Sequence, residues 1–160
     1  MLEHLHTDLL IDVHLMVSNP SDRFEECITH GAKRIAFHIE ADGDVMENIS
    51  LLRSEGISVG LAIDHDTEVE AVFPYLEHVD YVLVMTIRAG FSFQDFIPED
   101  LDKVRAIKDR NPNLEVMIDG GVDDQTAKLA AQAGVDSLAV ASYLIGKEDI
   151  RERIRFLQSR

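Results

Sequence analysis

Residues 114–121 read Leu-Glu-Val-Met-Ile-Asp-Gly-Gly. The apolar centre, Val116–Ile118, predicts a buried strand that ends in one carboxylate, Asp119, and the glycine pair Gly120-Gly121. Parallel α/β folds bind ligands at the carboxyl ends of their strands, and glycines there let backbone N–H groups approach an anion. An ordinary strand end followed by a turn has the same residues. This stretch alone therefore leaves a functional site and a turn as equal alternatives.

The rest of the chain repeats the arrangement of an apolar run, a polar end and a helical pattern. The apolar runs are nearly continuous, as in parallel strands that are covered on both faces. We predict six βα units in one α/β domain over residues 1–160, with residues 2–7 as the end of a helix. The predicted strands are Leu9–Val17, Arg34–Ile39, Ile57–Ile63, Tyr81–Ile87, Leu114–Ile118 and Ser137–Ala141. The predicted helices are Arg23–His30, Val45–Ser54, Glu68–His78, Pro98–Asp109, Gln125–Ala133 and Glu148–Leu157.

Six βα units fit two architectures, an open doubly wound sheet and part of an eight-unit barrel. The strand pattern by itself does not distinguish them. The Gly-x-Gly-x-x-Gly fingerprint of dinucleotide-binding sheets follows none of the predicted strands, which weakens the commonest function of an open sheet.

The composition excludes several classes of partner. A formal net charge of −15 over 160 residues disfavours nucleic acid and anionic membranes, which require a basic surface. Any phosphate site must therefore be local and built from backbone amides. No apolar run approaches a membrane span, the first residues lack the pattern of a signal peptide, and the single cysteine, Cys27, fits a reducing compartment. We expect a cytoplasmic protein.

Polar residues mark the carboxyl ends of the predicted strands. These ends meet at one rim of a parallel sheet, so His14 and Asp119 are expected to come together despite their separation in sequence. Imidazole and carboxylate ligands suit a divalent transition metal, although two ligands are too few for a tight site. The polar groups at the strand ends are His14, His38, Glu40, Asp64, His65, Asp66, Thr86, residues 88–94, Asp119 and Ser142.

Less specific interpretations apply to several of these residues. His14 alone is more typical of a hydrogen-bonded core histidine than of a ligand, and His38 is expected to be a satisfied core or rim histidine. Met16 and Met85 are typical gap-filling core residues. The acidic residues between positions 95 and 102 are expected to be solvated.

Four blocks of sequence together resemble the ribulose-phosphate 3-epimerases and related enzymes that act on ketose phosphates. They look like barrel strands three to eight of that family and extend over essentially the whole chain. The blocks are Asp12-Val-His-Leu-Met-Val17 with Asn19-Pro20, Phe37-His-Ile-Glu-Ala41, Val82-Leu-Val-Met-Thr86 with Gly90-Phe91, Gln94 and Phe96-Ile-Pro-Glu99, and Ile118-Asp-Gly-Gly121 with Ala141-Ser142.

The resemblance implies an incomplete (β/α) barrel of the TIM type. It also implies an enzyme of carbohydrate metabolism, acting on pentose phosphates, that inverts C3 of a ketose phosphate through an enediolate. By resemblance, His14 is a metal ligand that also contacts substrate, and Asp119 is both a ligand and an acid/base group. The implied cofactor is one divalent ion of zinc, manganese, iron or cobalt per complete site.

The same resemblance implies the positions that bind substrate. Met16 and Met85 match apolar methionines beside the reacting carbons. The implied phosphate-binding positions are Gly90, Phe91, Ser92, Phe93, Gly120, Gly121, Ala141 and Ser142.

The chain departs from the family pattern in ways that bear on activity. The first two barrel strands of the family have no counterpart in this sequence. In the family these strands carry two metal ligands, a substrate-binding serine and the second acid/base group, so these residues have no counterpart either. The phosphate loop, usually Pro-Gly-Phe-Gly-Gly, reads Ala89-Gly-Phe-Ser-Phe93, and Asp64-His65 replaces a usual Asn-Pro. We therefore expect a truncated isomerase that is nearly inactive alone. The alternative is a non-catalytic relative that binds a sugar phosphate or forms a homo-oligomer through the exposed edges of its sheet.

Overall fold

The computed structural model describes residues 7–88 and 94–159. Its strands are β1 (Ile11–Leu15), β2 (Ala32–His38), β3 (Ser58–Ile63), β4 (Tyr81–Met85), β5 (Glu115–Asp119) and β6 (Ser137–Ala139). Its α-helices are α1 (Ser21–Thr29), α2 (Val45–Ser54), α3 (Leu101–Arg110), α4 (Thr126–Ala133) and α5 (Ile150–Gln158). No helix in the described part of the chain is long and apolar enough to cross a bilayer.

The strand order decides between the two predicted architectures. All six strands are parallel and lie in the order β1-β2-β3-β4-β5-β6, each beside its neighbour in sequence. A doubly wound sheet reverses its strand order part-way across, whereas a barrel does not. The protein is therefore an incomplete barrel of the TIM type, as the resemblance implied.

The two faces of the sheet carry different cores. Alternate residues of the central strands, such as Val82 and Val84, are fully buried against the helices in the main core. The residues between them, including Tyr81, Leu83 and Met85, form a second, smaller cluster on the concave face. The strands are thus covered on both faces, which explains why their sequences are almost continuously apolar.

The prediction of a helix over Glu68–His78 was wrong. This segment forms two 3₁₀ turns, Val69–Ala71 and Phe73–Tyr75. Pro74 accounts for the difference, because a proline inside an α-helix has no N–H to donate and its ring clashes with the carbonyl four residues earlier.

Smaller corrections concern the ends of the elements. The first strand is shorter than predicted, and Leu9 and Leu10 outside it are 80% and 62% exposed. The sixth strand ends at Ala139, and the last helix begins at Ile150. The predicted helical end over residues 2–7 lies almost entirely outside the described residues.

A polar cluster joins the strands on the concave face near their amino ends. Arg34 of β2 lies between two carboxylates. Its Nη2 atom donates a hydrogen bond to Glu115 Oε1 at 2.9 Å. Its Nε atom is 3.0 Å from Asp12 Oδ2 and forms an ion pair with it, but without the geometry of a hydrogen bond. Its guanidinium stacks on the ring of Tyr81, 4.0 Å from the centroid. The Tyr81 hydroxyl donates to Asp12 Oδ1 at 2.9 Å, and burial and the nearby Asp12 raise the pKa of Tyr81.

A glycine makes room for this cluster. A Cβ atom at Gly60 would lie 2.3 Å from the Tyr81 ring, so a side chain at that position is incompatible with the tyrosine lying across the concave face. The cluster therefore connects β1, β2, β4 and β5 with the aid of the glycine on β3.

Replacing Arg34 by methionine is expected to lower the free energy of unfolding by about 2 kcal/mol, because Asp12 and Glu115 would then remain partly buried without a counter-charge. Urea denaturation at neutral pH measures the change. Arg23→Met is the matched control, since its ion pair with Glu26 is exposed and is expected to contribute about 0.5 kcal/mol or less. Equal losses in the two variants would contradict a structural role for the cluster.

Candidate active site

Asp119 and His14 lie together at the carboxyl rim of the half-barrel. Asp119 is the last residue of β5 and His14 is the penultimate residue of β1. Asp119 Oδ2 is 3.0 Å from His14 Nδ1. The side chains are 28% and 14% exposed, so the pair is shielded but reachable from solvent. The structure thus brings together two residues that are 105 positions apart, as the sequence predicted.

The curvature of the sheet makes this contact possible. Neighbouring strands are about 4.8 Å apart, so β1 and β5 would be separated by about 19 Å in a flat sheet. Only a sheet that bends around its concave face brings the two side chains within hydrogen-bond distance.

His14 also contacts His38, at the end of β2. The two Nε2 atoms are 2.9 Å apart, and the rings are nearly parallel with their centroids separated by 5.0 Å. The Nδ1 atom of His38 is 3.1 Å from Glu40 Oε2, and the other oxygen of Glu40 accepts the backbone N–H of Asp64 at 2.9 Å. His38 is 8% exposed and has partners at both ring nitrogens.

Glu40 is held in its ionised form. Burial alone would raise the pKa of its carboxyl, but hydrogen bonds from His38, Thr67 and the backbone of Asp64 outweigh burial and lower the pKa to about 2. Glu40 is therefore a carboxylate at neutral pH. A carboxylate only accepts hydrogen bonds, so it orders the groups around it.

The donor atoms at the rim match a transition metal in type but not in number. An imidazole nitrogen and a carboxylate oxygen suit zinc, manganese, iron or cobalt. Within residues 7–88 and 94–159, no group of three or more His, Cys, Asp or Glu side chains is arranged to hold an ion. His14 and Asp119 thus supply two donors where a catalytic site usually has three.

The glycine pair after Asp119 opens a cavity. Gly120 and Gly121 have φ angles of +123° and +63°, values that favour glycine. Added Cβ atoms would lie 2.4 Å from Ile87 and 2.8 Å from the Cα atom of Phe96. Close packing therefore requires the two glycines independently of any ligand. They line a cavity of about 390 Å³ together with Ile87, Asp119, Val122, Ala139, Ala141, Ser142, Ile145 and Lys147.

The remaining predicted site residues are divided between buried and exposed positions. Met85 is 1% exposed on the concave face and is paired with Asp119 across β4 and β5. Met16 is 49% exposed and lines a separate hollow beside His38 and Glu40. Ala141 and Ser142 are exposed. Gly90, Phe91, Ser92 and Phe93 lie outside the described residues.

One residue near the rim was interpreted wrongly from the sequence. Asp100, predicted to be solvated, is 2% exposed. Its carboxylate contacts His65 Nδ1 at 2.9 Å and Lys103 Nζ at 3.3 Å, and that ammonium also donates to the carbonyl oxygens of Asp64 and His65. These bonds hold the loop after β3 against α3. The spacing of Asp100 and Lys103, three residues apart, was a signal in the sequence for their ion pair. The contact with His65 had no such signal, because His65 lies 35 residues away in the sequence.

Comparison with known proteins identifies the family. The profile of the ribulose-phosphate 3-epimerase family matches residues 1–145. The chain belongs to the ribulose-phosphate 3-epimerase family. The profile match confirms the resemblance carried by the four sequence blocks. The relatives in this family are named as enzymes.

Individual relatives show how far the likeness extends. The cytoplasmic isoform of ribulose-phosphate 3-epimerase from Oryza sativa subsp. japonica is 39% identical over 157 residues, which cover 96% of this chain and 69% of the relative. The ribulose-phosphate 3-epimerase of Chlamydia pneumoniae is 36% identical over 150 residues, with 90% and 66% covered. The chain thus spans about two thirds of the length of these relatives.

A solved structure supports the fold. The 3-hexulose-6-phosphate synthase from Salmonella typhimurium superposes with a TM-score of 0.69 at 19% identity, covering 94% of this chain and 71% of the synthase. At this level of identity the likeness concerns the fold alone.

The low pKa of Glu40 predicts a pH-dependent contribution to stability in this epimerase-family chain. The folded state lowers this pKa, so the stabilisation is fully present above about pH 4.5 and is lost as the pH falls toward 2. Glu40→Gln is expected to lower the free energy of unfolding at pH 7 by at most about 3 kcal/mol, and the difference from wild type should shrink below pH 4.5.

Urea denaturation between pH 3 and pH 7 measures this effect. Glu55→Gln is the matched control, because Glu55 is exposed at the end of α2 and the same change of charge there is expected to have little effect. A difference between Glu40→Gln and wild type that stays constant over this range would contradict the assignment.

Proposed function

We propose that this chain is an isomerase of the ribulose-phosphate 3-epimerase type, which inverts C3 of a ketose phosphate by metal-assisted proton transfer through an enediolate. The observation that carries the proposal is the Asp119–His14 pair, 3.0 Å apart at the carboxyl rim of a half-barrel. Relatives that are named ribulose-phosphate 3-epimerase match nearly the whole chain and support it. We propose that the protein acts in the cytoplasm, in the metabolism of pentose phosphates.

In this proposal, Asp119 moves a proton at the carbon next to the substrate carbonyl. Its carboxylate is partly exposed and borders the cavity next to Gly120 and Gly121, so a substrate in that cavity would be within its reach. The hydrogen bond to His14 holds one carboxylate oxygen and leaves the other to accept the proton.

We further propose that His14 and Asp119 contribute two ligands to a divalent metal site. When bound, the ion would polarise the substrate carbonyl and stabilise negative charge on its oxygen. Zinc, manganese, iron and cobalt all accept this combination of nitrogen and oxygen. Isothermal titration of the chain with Zn²⁺, with His14→Ala for comparison, tests this assignment.

We assign the substrate phosphate to the glycine side of the cavity. The chain has a net charge of −15, so we assign the binding of the phosphate to local backbone amides and not to a broad basic surface. Met16 and Met85 are proposed to contact the apolar side of the sugar. The proposed phosphate-binding residues are Gly90, Phe91, Ser92, Phe93, Gly120, Gly121, Ala141 and Ser142.

Epimerisation needs a second acid on the opposite face of the sugar. Asp119 is the acid/base group that we assign, since Glu40 already accepts bonds from His38 and from the Asp64 backbone. We therefore expect the 160-residue chain to exchange the C3 proton of one epimer with solvent and to convert one epimer into the other at least about 100-fold more slowly than longer family members.

Incubation of ribulose 5-phosphate or xylulose 5-phosphate in D₂O, followed by proton NMR, separates exchange from conversion. Asp119→Asn is expected to reduce exchange at least about 100-fold, whereas Asp109→Asn, at an exposed position of α3, should leave it unchanged. Unchanged exchange in Asp119→Asn would exclude the proposed role. Conversion as fast as in longer relatives would contradict the single acid/base assignment.

The second candidate is a non-catalytic relative that binds a sugar phosphate or forms a homo-oligomer. Among the described strands, β1 and β6 each have one neighbour, so each presents an open edge. Apolar side chains are exposed near both, including Leu9 and Leu10 at one and Ile145 at the other. Such edges favour pairing with another chain. Light scattering that shows a stable monomer at high concentration would count against an oligomer.

A further inference from the structure

The cavity beside Asp119 adjoins a second cavity. The first cavity has a volume of about 390 Å³ and the second a volume of about 400 Å³. Four residues line both of them: Gly121, Val122, Ser142 and Lys147. Lys147 therefore lies at the border between the two cavities, together with two of the residues to which we assign the substrate phosphate.

A hydrogen-bonded turn holds the backbone of Lys147. The N–H groups of Leu144 and Ile145 both donate to the carbonyl oxygen of Ala141, at 2.9 and 2.8 Å. The N–H group of Lys147 then donates to the carbonyl oxygen of Leu144 at 3.2 Å. Gly146 has a φ angle of +74°, a left-handed conformation that favours glycine and closes this turn. The position of Lys147 is thus set by local backbone structure.

Lys147 supplies the positive charge of the first cavity. Of the described residues that line this cavity, only Asp119 and Lys147 are charged. The ammonium of Lys147 forms no ion pair with a residue of the described ranges 7–88 and 94–159. It is therefore available to an anion in the cavity.

The second cavity is less favourable for an anion. The carboxylates of Asp95 and Asp123 line it. Its Arg153 already donates to Asp149 Oδ1 at 2.7 Å and to the carbonyl oxygen of Tyr143 at 3.3 Å. An anion that contacts Lys147 is therefore expected in the first cavity.

We infer that Lys147 is a specificity-determining residue, whose ammonium selects a phosphorylated ligand over a neutral one and draws its phosphate toward Lys147. The inference deepens the proposed function and rests on it for the identity of the substrate. A lysine ammonium attracts a phosphate as a point charge with three donors, whereas the Asp119 carboxylate repels it. Both charges therefore act to turn the phosphate away from Asp119 and leave the sugar carbons near it. A local cation matters in this chain, because the net charge of −15 repels an anion at long range.

Titration of the 160-residue chain with inorganic phosphate and with ribulose 5-phosphate, followed by ¹⁵N–¹H amide spectra, tests the inference. Lys147→Met removes the ammonium and is expected to weaken the binding of both ligands about 10-fold. Lys147→Arg keeps the positive charge and is expected to recover most of the affinity. Lys33→Met is the matched control, because Lys33 is exposed near the start of β2 and its replacement makes the same change in net charge. It should leave both affinities unchanged.

Ribulose without a phosphate is the second probe, and Lys147→Met is expected to bind it as weakly as the wild type does. Dispersed amide spectra establish that each variant is folded. The inference would be overturned if the wild type did not bind phosphate, if Lys147→Met bound it as tightly, or if Lys33→Met or the ribulose titration showed an equal loss.

Proton exchange at C3 separates this inference from the proposed function. The expected loss of phosphate affinity in Lys147→Met, in a chain whose wild type does not exchange the C3 proton, would support the role of Lys147 and contradict the proposed function. Exchange by the wild type, with unchanged phosphate affinity in Lys147→Met, would support the proposed function and overturn the role of Lys147.

Discussion

The contact between His14 and Asp119 depends on the curvature of the parallel sheet. Their strands are four positions apart, and only a bent sheet brings their ends to a separation of 3.0 Å. The same bend brings Arg34 of β2 to Glu115 of β5 at the other end of the concave face. The half-barrel therefore has polar contacts across its concave face at both ends of the strands, and buried apolar side chains, including Ala36, Ala62 and Leu83, lie between them.

The two polar clusters differ in what their geometry permits. Around Arg34, one cation lies between two carboxylates, and the arrangement is locked by a stacked tyrosine and the glycine that makes room for it. Around His14, two imidazoles lie between two carboxylates and can carry different numbers of protons. The first cluster is suited to holding strands together. The second, at the rim where this family of folds places its chemistry, is suited to accepting a proton or a cation.

The loops after the strands connect the rim to the body of the domain. Glu40 is anchored by the backbone of the loop after β3, and that loop is itself held by Lys103 of α3 and by the buried Asp100 just before this helix. Asp64-His65, where the family usually has Asn-Pro, thus supplies both an N–H for Glu40 and an imidazole for Asp100. This departure from the family pattern therefore forms hydrogen bonds that hold the loop in the structure.

The sequence by itself determined the class of fold, the number of parallel strands, the polar residues His14 and Asp119 near the carboxyl ends of the first and fifth strands, and the family. These features depend on local periodicity and on short motifs, which the order of residues carries directly. It did not determine the barrel-type strand order, the burial of Asp100, or the series of contacts from Asp119 through the histidines to Glu40. Those depend on distances between residues far apart in the chain, and only the tertiary structure, by bending the sheet, decides them.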